Sequence, residues 1–428
     1  DVSKDGEEES GATSSYFLAA AKDGSRAYYA TGAGLGDLYE YDAATEESTF
    51  LAGGLAGYMG AAEDGLSLYF VSREALTPGQ ENSEGAEAED KAANLYRYRA
   101  GEGGGPTFVA ILAEDDLTGF AFAGVANLNE LSPVGAPGRR SSRVTPDGNH
   151  AIFTSVGSLT GYDNADVLSP APCGQTGGIC DAELFRFDAA ARGGQGEIAC
   201  LSCNRSGGRP VGEELEPGFF AAGWVRGFET NLYASRNLSD DGSRVFFESS
   251  DALVSRDTNS EIDVYQWEEP GAGSCEEQAS SFVASAGGCI ELISSGQSAH
   301  ESSFIEASAS GSDVFFATLS SLYPGDPGLV DVYDARIEGG FAAPEEEGEA
   351  CEGESCQSPP PAPEFQPPTS STYSGPGNLA APKKKKAKKH CAKGKHKVKR
   401  KGKVRCVKKK NKKKAQKRAH HRAHEGSP

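Results

Sequence analysis

The sequence predicts an all-β fold made of short antiparallel strands joined by tight turns. Hydrophobic residues make up only 37% of the 428 residues, and the chain contains 54 Gly and 22 Pro. This composition favours turns and short strands over long helices. Two short motifs also recur five times along the chain, always in the same order. Repetition of one small unit is typical of propellers and solenoids, in which neighbouring units bury each other's apolar faces.

The first motif is a glycine that follows Asp or Ser and precedes, by four and five residues, two large apolar side chains. A glycine after Asp supplies the positive φ of a tight turn, so each copy predicts a turn that leads into a buried strand. The five copies are Gly24 with Tyr28-Tyr29, Gly65 with Tyr69-Phe70, Gly148 with Ile152-Phe153, Gly242 with Phe246-Phe247 and Gly311 with Phe315-Phe316.

The second motif is an acid or amide followed by an aliphatic and an aromatic residue, and one copy follows each glycine motif. The distance from the glycine varies from 13 to 35 residues, so the loops absorb insertions while the strands keep their pattern, as in propeller blades. The five copies are Asp37-Leu38-Tyr39, Asn94-Leu95-Tyr96, Glu183-Leu184-Phe185, Asp263-Val264-Tyr265 and Asp331-Val332-Tyr333.

These motifs predict a β-propeller of four-stranded antiparallel blades over residues 1–341. The first two glycines are 41 residues apart, which matches a blade of about 40–45 residues. The motifs assign five blades. The two longest spacings either carry enlarged loops or contain a sixth and a seventh blade, for instance around GFAFAGVANL at 119–128 and GFFAAGWVRGF at 218–228.

Several runs resemble known propeller repeats. TPDGNHAIF at 145–153, SDDGSRVFF at 239–247 and DVYQW at 263–267 resemble the TolB-like, WD-repeat-like β-propeller repeats of bacterial envelope proteins. The segment 235–265, the run IACLSCNRSG at 198–207 and the Lys-rich end with its cysteines are similar to a family of secreted actinobacterial propeller proteins. The resemblance implies a propeller fold and a secreted or cell-envelope location, and it carries over no catalytic residue.

The net charge of −20 combines two parts of opposite sign. Of the 42 Lys and Arg, 23 lie between Lys383 and Arg422, a run without acids. The residues before Lys383 therefore hold 19 bases against 61 acids, a net charge of −42. Between the two parts, residues 342–382 are rich in Pro, Glu and Ser and predict a disordered linker. Residues 383–428 are a polycationic tail, which we expect to be disordered, with a minimal hairpin clipped by Cys391 and Cys406 as the alternative.

Ten cysteines fall into near-neighbour pairs, which predicts disulfides and an oxidising compartment. The candidate residues are Cys173 and Cys180, Cys200 and Cys203, Cys275 and Cys289, Cys351 and Cys356, and Cys391 and Cys406. The connectivity among the first four stays open. A zinc site built from the same four thiolates is the competing interpretation, although CLSC at 200–203 alone has the spacing of a zinc knuckle.

The propeller part contains a candidate metal site, a loop that could bind calcium weakly. SRDTNSEID at 255–263 places oxygen-bearing side chains at Asp257, Asn259, Glu261 and Asp263, a spacing that resembles an EF-hand loop. Ile262 replaces the glycine of such loops, and a hydrophilic loop before a strand is the alternative. Asp163, Asn164 and Asp166 form a similar but poorer cluster. We expect no other cofactor.

The tail is the strongest functional feature of the sequence. A dense polycation binds polyanions through counterion release, with little specificity. The lysines assigned to this role are Lys383, Lys384, Lys385, Lys386, Lys388, Lys389, Lys408, Lys409, Lys410, Lys412, Lys413 and Lys414. We expect an anionic cell-wall polymer or a protein as partner. Nucleic acid is an alternative ligand for the tail only, because the rest of the chain is strongly acidic. The tail has no interleaved aromatic residues for base stacking, which disfavours this alternative.

Known catalytic motifs are missing from the sequence. The chain contains no G-x-S-x-G, H-E-x-x-H or G-x-x-x-x-G-K, the signatures of common hydrolases and nucleotide-binding proteins. His150 falls in a predicted strand, and we expect it on the strand surface. The sequence therefore favours a non-catalytic binding or scaffolding protein without a transmembrane segment, since no run approaches the ~18 apolar residues of a membrane span. A propeller hydrolase with carboxylates at the channel mouth is the alternative, because blades can bring distant acids together.

Overall fold

The computed structural model describes residues 15–31, 36–101, 103, 105–118, 140–216, 219–225, 234–323, 328–337, 339 and 391–408. It divides into two compact units, 1–347 and 348–428. The predicted linker at 342–382 lies outside the described residues. Among the helices that the structure describes, none is long and apolar enough to cross a membrane.

The first unit is an all-β propeller whose strands follow one another in antiparallel meanders. The first two blades share one sheet, because the long strand β4 pairs with β3 through its first half and with β5 through its second half. Their strands are β1 (Ser15–Ala20), β2 (Arg26–Thr31), β3 (Gly36–Asp42), β4 (Glu47–Ala61), β5 (Ser67–Ser72), β6 (Ala93–Arg99) and β7 (Thr107–Leu112), followed by the helical turn α1 (Asp115–Thr118).

The third and fourth blades each contain a short helical turn. The third is built from β8 (Ser142–Val144), β9 (His150–Ser155), β10 (Asp181–Asp188), the turn α2 (Ala191–Gly194), β11 (Glu197–Cys200), β12 (Glu213–Glu216) and β13 (Phe219–Ala221). The fourth is built from β14 (Gly223–Trp224), β15 (Arg244–Ser249), β16 (Asp263–Glu268), β17 (Phe282–Val283), a 3-10 turn (Ala284–Ala286) and β18 (Gly288–Leu292).

A fifth blade of three described strands ends the first unit. Its strands are β19 (Ser302–Ala307), β20 (Asp313–Thr318) and β21 (Asp331–Arg336). Near 218–228 the described residues fit the alternative of an enlarged loop and not of an extra blade, because β13 joins the sheet of β10 and β14 joins the sheet of β15. The run at 119–128 lies outside the described residues.

The two sequence motifs form adjacent strands in all five blades. The fifth residue after each motif glycine lies directly opposite the aromatic residue of the second motif. These pairs are Tyr29 with Tyr39, Phe70 with Tyr96, Phe153 with Phe185, Phe247 with Tyr265 and Phe316 with Tyr333. All five motif glycines have a positive φ between 68° and 74°, so the predicted turns are confirmed.

The apolar pair after each glycine serves two neighbouring blades. Successive side chains of a strand point to opposite faces, so in the second to fourth blades one member of the pair faces the next blade and the other faces the preceding one. In the second blade, Tyr69 packs with Phe153 of the third blade, while Phe70 packs with Tyr28 of the first. In the fifth blade Phe316 is buried, but Phe315, which points to the other face, is 36% exposed.

The glycine turns also contact the preceding blade. A Cβ atom on Gly148 would lie 2.4 Å from Cβ of Ser67, and the Tyr69 hydroxyl donates a hydrogen bond to the Gly148 carbonyl oxygen at 2.9 Å. A Cβ atom on Gly24, in the first blade, would have no heavy atom within 4 Å. The glycine of the later turns is therefore needed both for its φ and for close packing.

Candidate functional site

The second unit contains a disulfide-closed basic hairpin. Strand β22 (Lys395–Arg400) pairs with β23 (Lys403–Lys408) along their whole length, and Cys391 is bonded to Cys406. The structure thus has the hairpin that the sequence analysis gave as the alternative to a disordered tail. Residues 391–408 include nine Lys or Arg and no Asp or Glu.

One face of this hairpin carries a row of lysines. Lys395, Lys397 and Lys399 alternate along β22, and Lys408 lies directly opposite Lys395; all four are exposed. Alternate residues of a strand are about 7 Å apart on the same face. The hairpin therefore presents a regular series of positive charges to solvent, with no acid among residues 391–408 to neutralise it.

Sequence reasoning named other lysines for polyanion binding. Of the twelve assigned, Lys408 lies in the hairpin and is exposed, whereas the other eleven lie outside the described residues. The row of Lys395, Lys397 and Lys399 was not singled out. The alternation of lysine with other residues in KHKVKR at 395–400 is the signal that could have identified it, because this spacing puts like residues on one strand face.

Two acids of the predicted calcium loop accept hydrogen bonds from neighbouring side chains. Tyr265 donates a hydrogen bond to Asp257, and Ser294 donates one to Asp263. The Asn259 amide nitrogen donates to Asp263 Oδ2 at 2.8 Å, so this side chain turns its nitrogen rather than its oxygen to the acid. Glu261 lies half-buried beside them. Calcium binding by this loop stays a prediction.

Three buried carboxylates meet at the backbone of one loop, although they are distant in sequence. Gly212 N–H donates to Asp181 Oδ2 at 3.0 Å and to Asp166 Oδ2 at 3.3 Å, while Val211 N–H donates to Asp251 Oδ1 at 2.6 Å. Burial, reinforced by the charge of Asp166, raises the pKa of Asp181 to about 8. Asp181 is therefore mostly neutral at pH 7. Sequence reasoning had singled out Asp166 alone of the three.

Four of the predicted cysteine pairs form disulfides in the structure. They join Cys173 to Cys180, Cys200 to Cys203, Cys275 to Cys289 and Cys391 to Cys406. The first two bonds hold the four thiols that the zinc interpretation required, so the structure has the disulfide alternative. Cys351 and Cys356 lie outside the described residues.

A cleft of about 600 Å³ lies between the third and fourth blades. Its lining includes Arg186, Glu269 and the Cys200–Cys203 disulfide. An Arg186 Nη atom lies 2.9 Å from Nδ1 of His150 and 3.3 Å from a carboxylate oxygen of Glu269. His150 is half-buried and packs against the Gly242 turn, so the expected surface position of His150 is wrong. Burial and the charge of Arg186 lower the pKa of His150.

In the part of the chain that the structure describes, one group of three side chains that could bind a metal lies close together. A carboxylate oxygen of Glu183 and the sulfur atoms of Cys200 and Cys203 all lie within 4.8 Å of one another. Because the two sulfur atoms are bonded to each other, they are not free as thiolate ligands in this state. All three residues are buried.

Comparisons with known proteins show similarity at the level of structure alone. No protein-family model matches the chain, and no curated protein is significantly similar to it in sequence. Similar solved structures include TolB from Acinetobacter baumannii, with 14% identity, 75% of this chain and 51% of TolB covered, and a TM-score of 0.27.

Two peptidases are also among the similar structures. The tricorn protease has 11% identity over 73% of this chain and 25% of its own, with a TM-score of 0.35. A puromycin-hydrolyzing peptidase of Mycobacterium tuberculosis has 11% identity over 77% of this chain and 38% of its own, with a TM-score of 0.30. The chain thus spans about half the length of TolB and less than two fifths of either peptidase.

Proposed function

We propose that this protein is a secreted or cell-envelope binding propeller that its basic tail retains on anionic polymers. The lysine row of the hairpin is the observation that carries the proposal. Local cysteine pairing supports an oxidising compartment, and the resemblance of the sequence to secreted propeller proteins agrees with it. The propeller unit then acts as a recognition or scaffolding body, and the partner of the protein is an anionic cell-wall polymer or a protein.

The charge pattern supports a division of labour between the two units. The residues before Lys383 carry a net charge of −42, which disfavours a polyanion as the ligand of the propeller itself. The hairpin contains Lys and Arg but no Asp or Glu. A polymer with regularly spaced phosphates, sulfates or carboxylates can be bound by Lys395, Lys397 and Lys399 together, with release of its counterions.

Retention on heparin resin across a salt series tests this proposal. Deletion of residues 383–428 should abolish retention without changing the melting temperature of the propeller. The triple variant Lys395→Gln, Lys397→Gln, Lys399→Gln should lower the salt slope of binding by about 2 to 3, since each neutralised anionic group contributes roughly 0.7–0.9.

A matched variant removes the same charge elsewhere in the tail. Lys412→Gln, Lys413→Gln, Lys414→Gln changes the net charge equally and should weaken retention less, because it leaves the lysine row intact. Equal losses of retention in the two triple variants would show that the tail binds as a polycation without a defined face. Unaltered retention of the deletion variant would refute the anchoring role. Preferential retention on double-stranded DNA over heparin would instead favour the nucleic-acid alternative.

A further inference from the structure

Glu183 is a buried carboxyl placed beside the Cys200–Cys203 disulfide. It lies on β10 and is fully buried. Its Oε2 accepts a hydrogen bond from the Ser202 hydroxyl, between the two cysteines. Its Oε1 is buried and has no hydrogen-bond partner in the part of the chain that the structure describes. A buried carboxyl with one unsatisfied oxygen is costly to the fold, which suggests a role other than stability.

The disulfide itself has features of a reactive pair. Cys200 and Cys203 enclose only two residues, and both line the cleft between the third and fourth blades. The backbone N–H of Cys203 donates to Cys200 Sγ at 3.1 Å, which stabilises a thiolate at Cys200 once the bond opens. Arg205 lines the same cleft, and nearby positive charge also favours the thiolate.

We propose that Cys200–Cys203 is a redox-active disulfide that accepts electrons from dithiols entering the cleft, and that Glu183 supplies its proton. This role is independent of the polymer binding proposed for the hairpin. The other two disulfides of the propeller close larger loops, with separations of 7 and 14 residues against 3 for this pair. A short loop gains less from closure, so opening this bond costs the fold less.

The exchange balances as a two-electron transfer from the dithiol to the protein. A thiolate of the dithiol bonds to Cys200 Sγ while the Cys200–Cys203 bond breaks, and Cys203 leaves with the proton of the Glu183 carboxyl. The second thiolate then attacks the dithiol's own bonded sulfur, so the dithiol becomes a disulfide and Cys200 leaves as the stabilised thiolate. Cys200 takes a proton from water, and Glu183 regains one from solvent.

The surroundings of Glu183 keep this carboxyl protonated. Burial, together with the charges of Asp251 and Asp181, raises the pKa of Glu183 well above its usual range. Burial raises the pKa of the Tyr162 hydroxyl, and Tyr162, which also lines the cleft, is close enough to Glu183 for the charge of this acid to raise that pKa further. The neutral acid is the form that can donate a proton to a leaving thiolate.

The test measures reduction of the full-length oxidised protein by dithiothreitol. Free thiols are trapped with N-ethylmaleimide at timed intervals and located by peptide mass spectrometry. We expect Cys200–Cys203 to open at concentrations that leave Cys275–Cys289 closed. We expect Glu183→Gln to slow this opening on the order of 10²-fold, the lower range for a positioned acid. Glu40→Gln, the same change at a buried acid on β3 of the first blade, should leave the rate unchanged.

A pH series on the wild-type protein serves if Glu183→Gln fails to fold. After correction for the thiolate fraction of dithiothreitol, the rate should fall as pH rises through the titration of Glu183. Opening of all the disulfides together, a corrected rate independent of pH, or a folded Glu183→Gln variant with the wild-type rate would overturn the proposal. Stoichiometric zinc uptake by the reduced pair that requires Glu183 would overturn it as well, in favour of a metal site.

Discussion

Replacing Gly148 with alanine tests whether the motif turns join neighbouring blades. Its φ of +68° costs a residue with a Cβ about 1–2 kcal/mol. The new Cβ would also lie 2.4 Å from Cβ of Ser67 in the preceding blade, and such overpacking typically costs about 1–3 kcal/mol. We therefore expect Gly148→Ala to lower the free energy of unfolding by about 2–5 kcal/mol.

Gly24→Ala is the matched control. Gly24 has the same turn and a φ of +74°, but its added Cβ would meet no heavy atom within 4 Å. Gly24→Ala should lower the free energy of unfolding only by the cost of its positive φ, about 1–2 kcal/mol. The change in the entropy of the unfolded chain is the same for both variants, so it cancels in the comparison. Urea unfolding followed by far-UV circular dichroism gives both values. Equal destabilisation of the two variants would refute the packing role of the turn.

Three further predictions concern buried charge and covalent links. The raised pKa of Asp181 means that the native state binds this proton more tightly than the unfolded chain does, so stability should fall as pH rises from about 4 to about 8. Asp181→Asn should flatten this dependence in urea titrations at several pH values. Arg244→Gln leaves the buried partner Glu268 unpaired and should lower the free energy of unfolding by about 3–5 kcal/mol. Adding Glu268→Gln should recover part of this loss. Complete additivity of the two changes in the double-mutant cycle would argue against the ion pair. Replacing Cys275 and Cys289 with serine should lower stability by about 3 kcal/mol, measured by thermal melting, and an unchanged melting temperature would contradict this value.

The propeller blades could be predicted from the sequence because their determinants are local. A positive-φ glycine and a pair of apolar residues define a turn and a strand, and the aromatic residue of the second motif defines the next strand. The pairing of Phe153 with Phe185, across a 25-residue insertion between β9 and β10, follows from the same pattern. The strand pattern does not show that Asp166, Asp181 and Asp251 bind the backbone of the same loop, because the three acids come from separate segments of the chain.

The candidate sites were less predictable for two physical reasons. A lone hairpin is marginal in water, so sequence patterns favoured a disordered tail, and the disulfide from Cys391 to Cys406 supplies the missing constraint. The proximity of Glu183 to Cys200 arises from pairing of β10 with β11 and the turn that follows. Glu183 belongs to the second motif, but nothing in that motif indicates a neighbouring cysteine.

The two-sided use of the apolar pairs makes the propeller behave as a linear array of coupled units. Each inner blade is held by an apolar interface on both faces, whereas the fifth blade leaves Phe315 partly exposed on one face. In such an array, stability is the sum of the blades' own terms and nearest-neighbour terms. Opening fluctuations should therefore begin at the fifth blade, and the third and fourth blades, which contain the acid cluster and the cleft disulfide, are more protected.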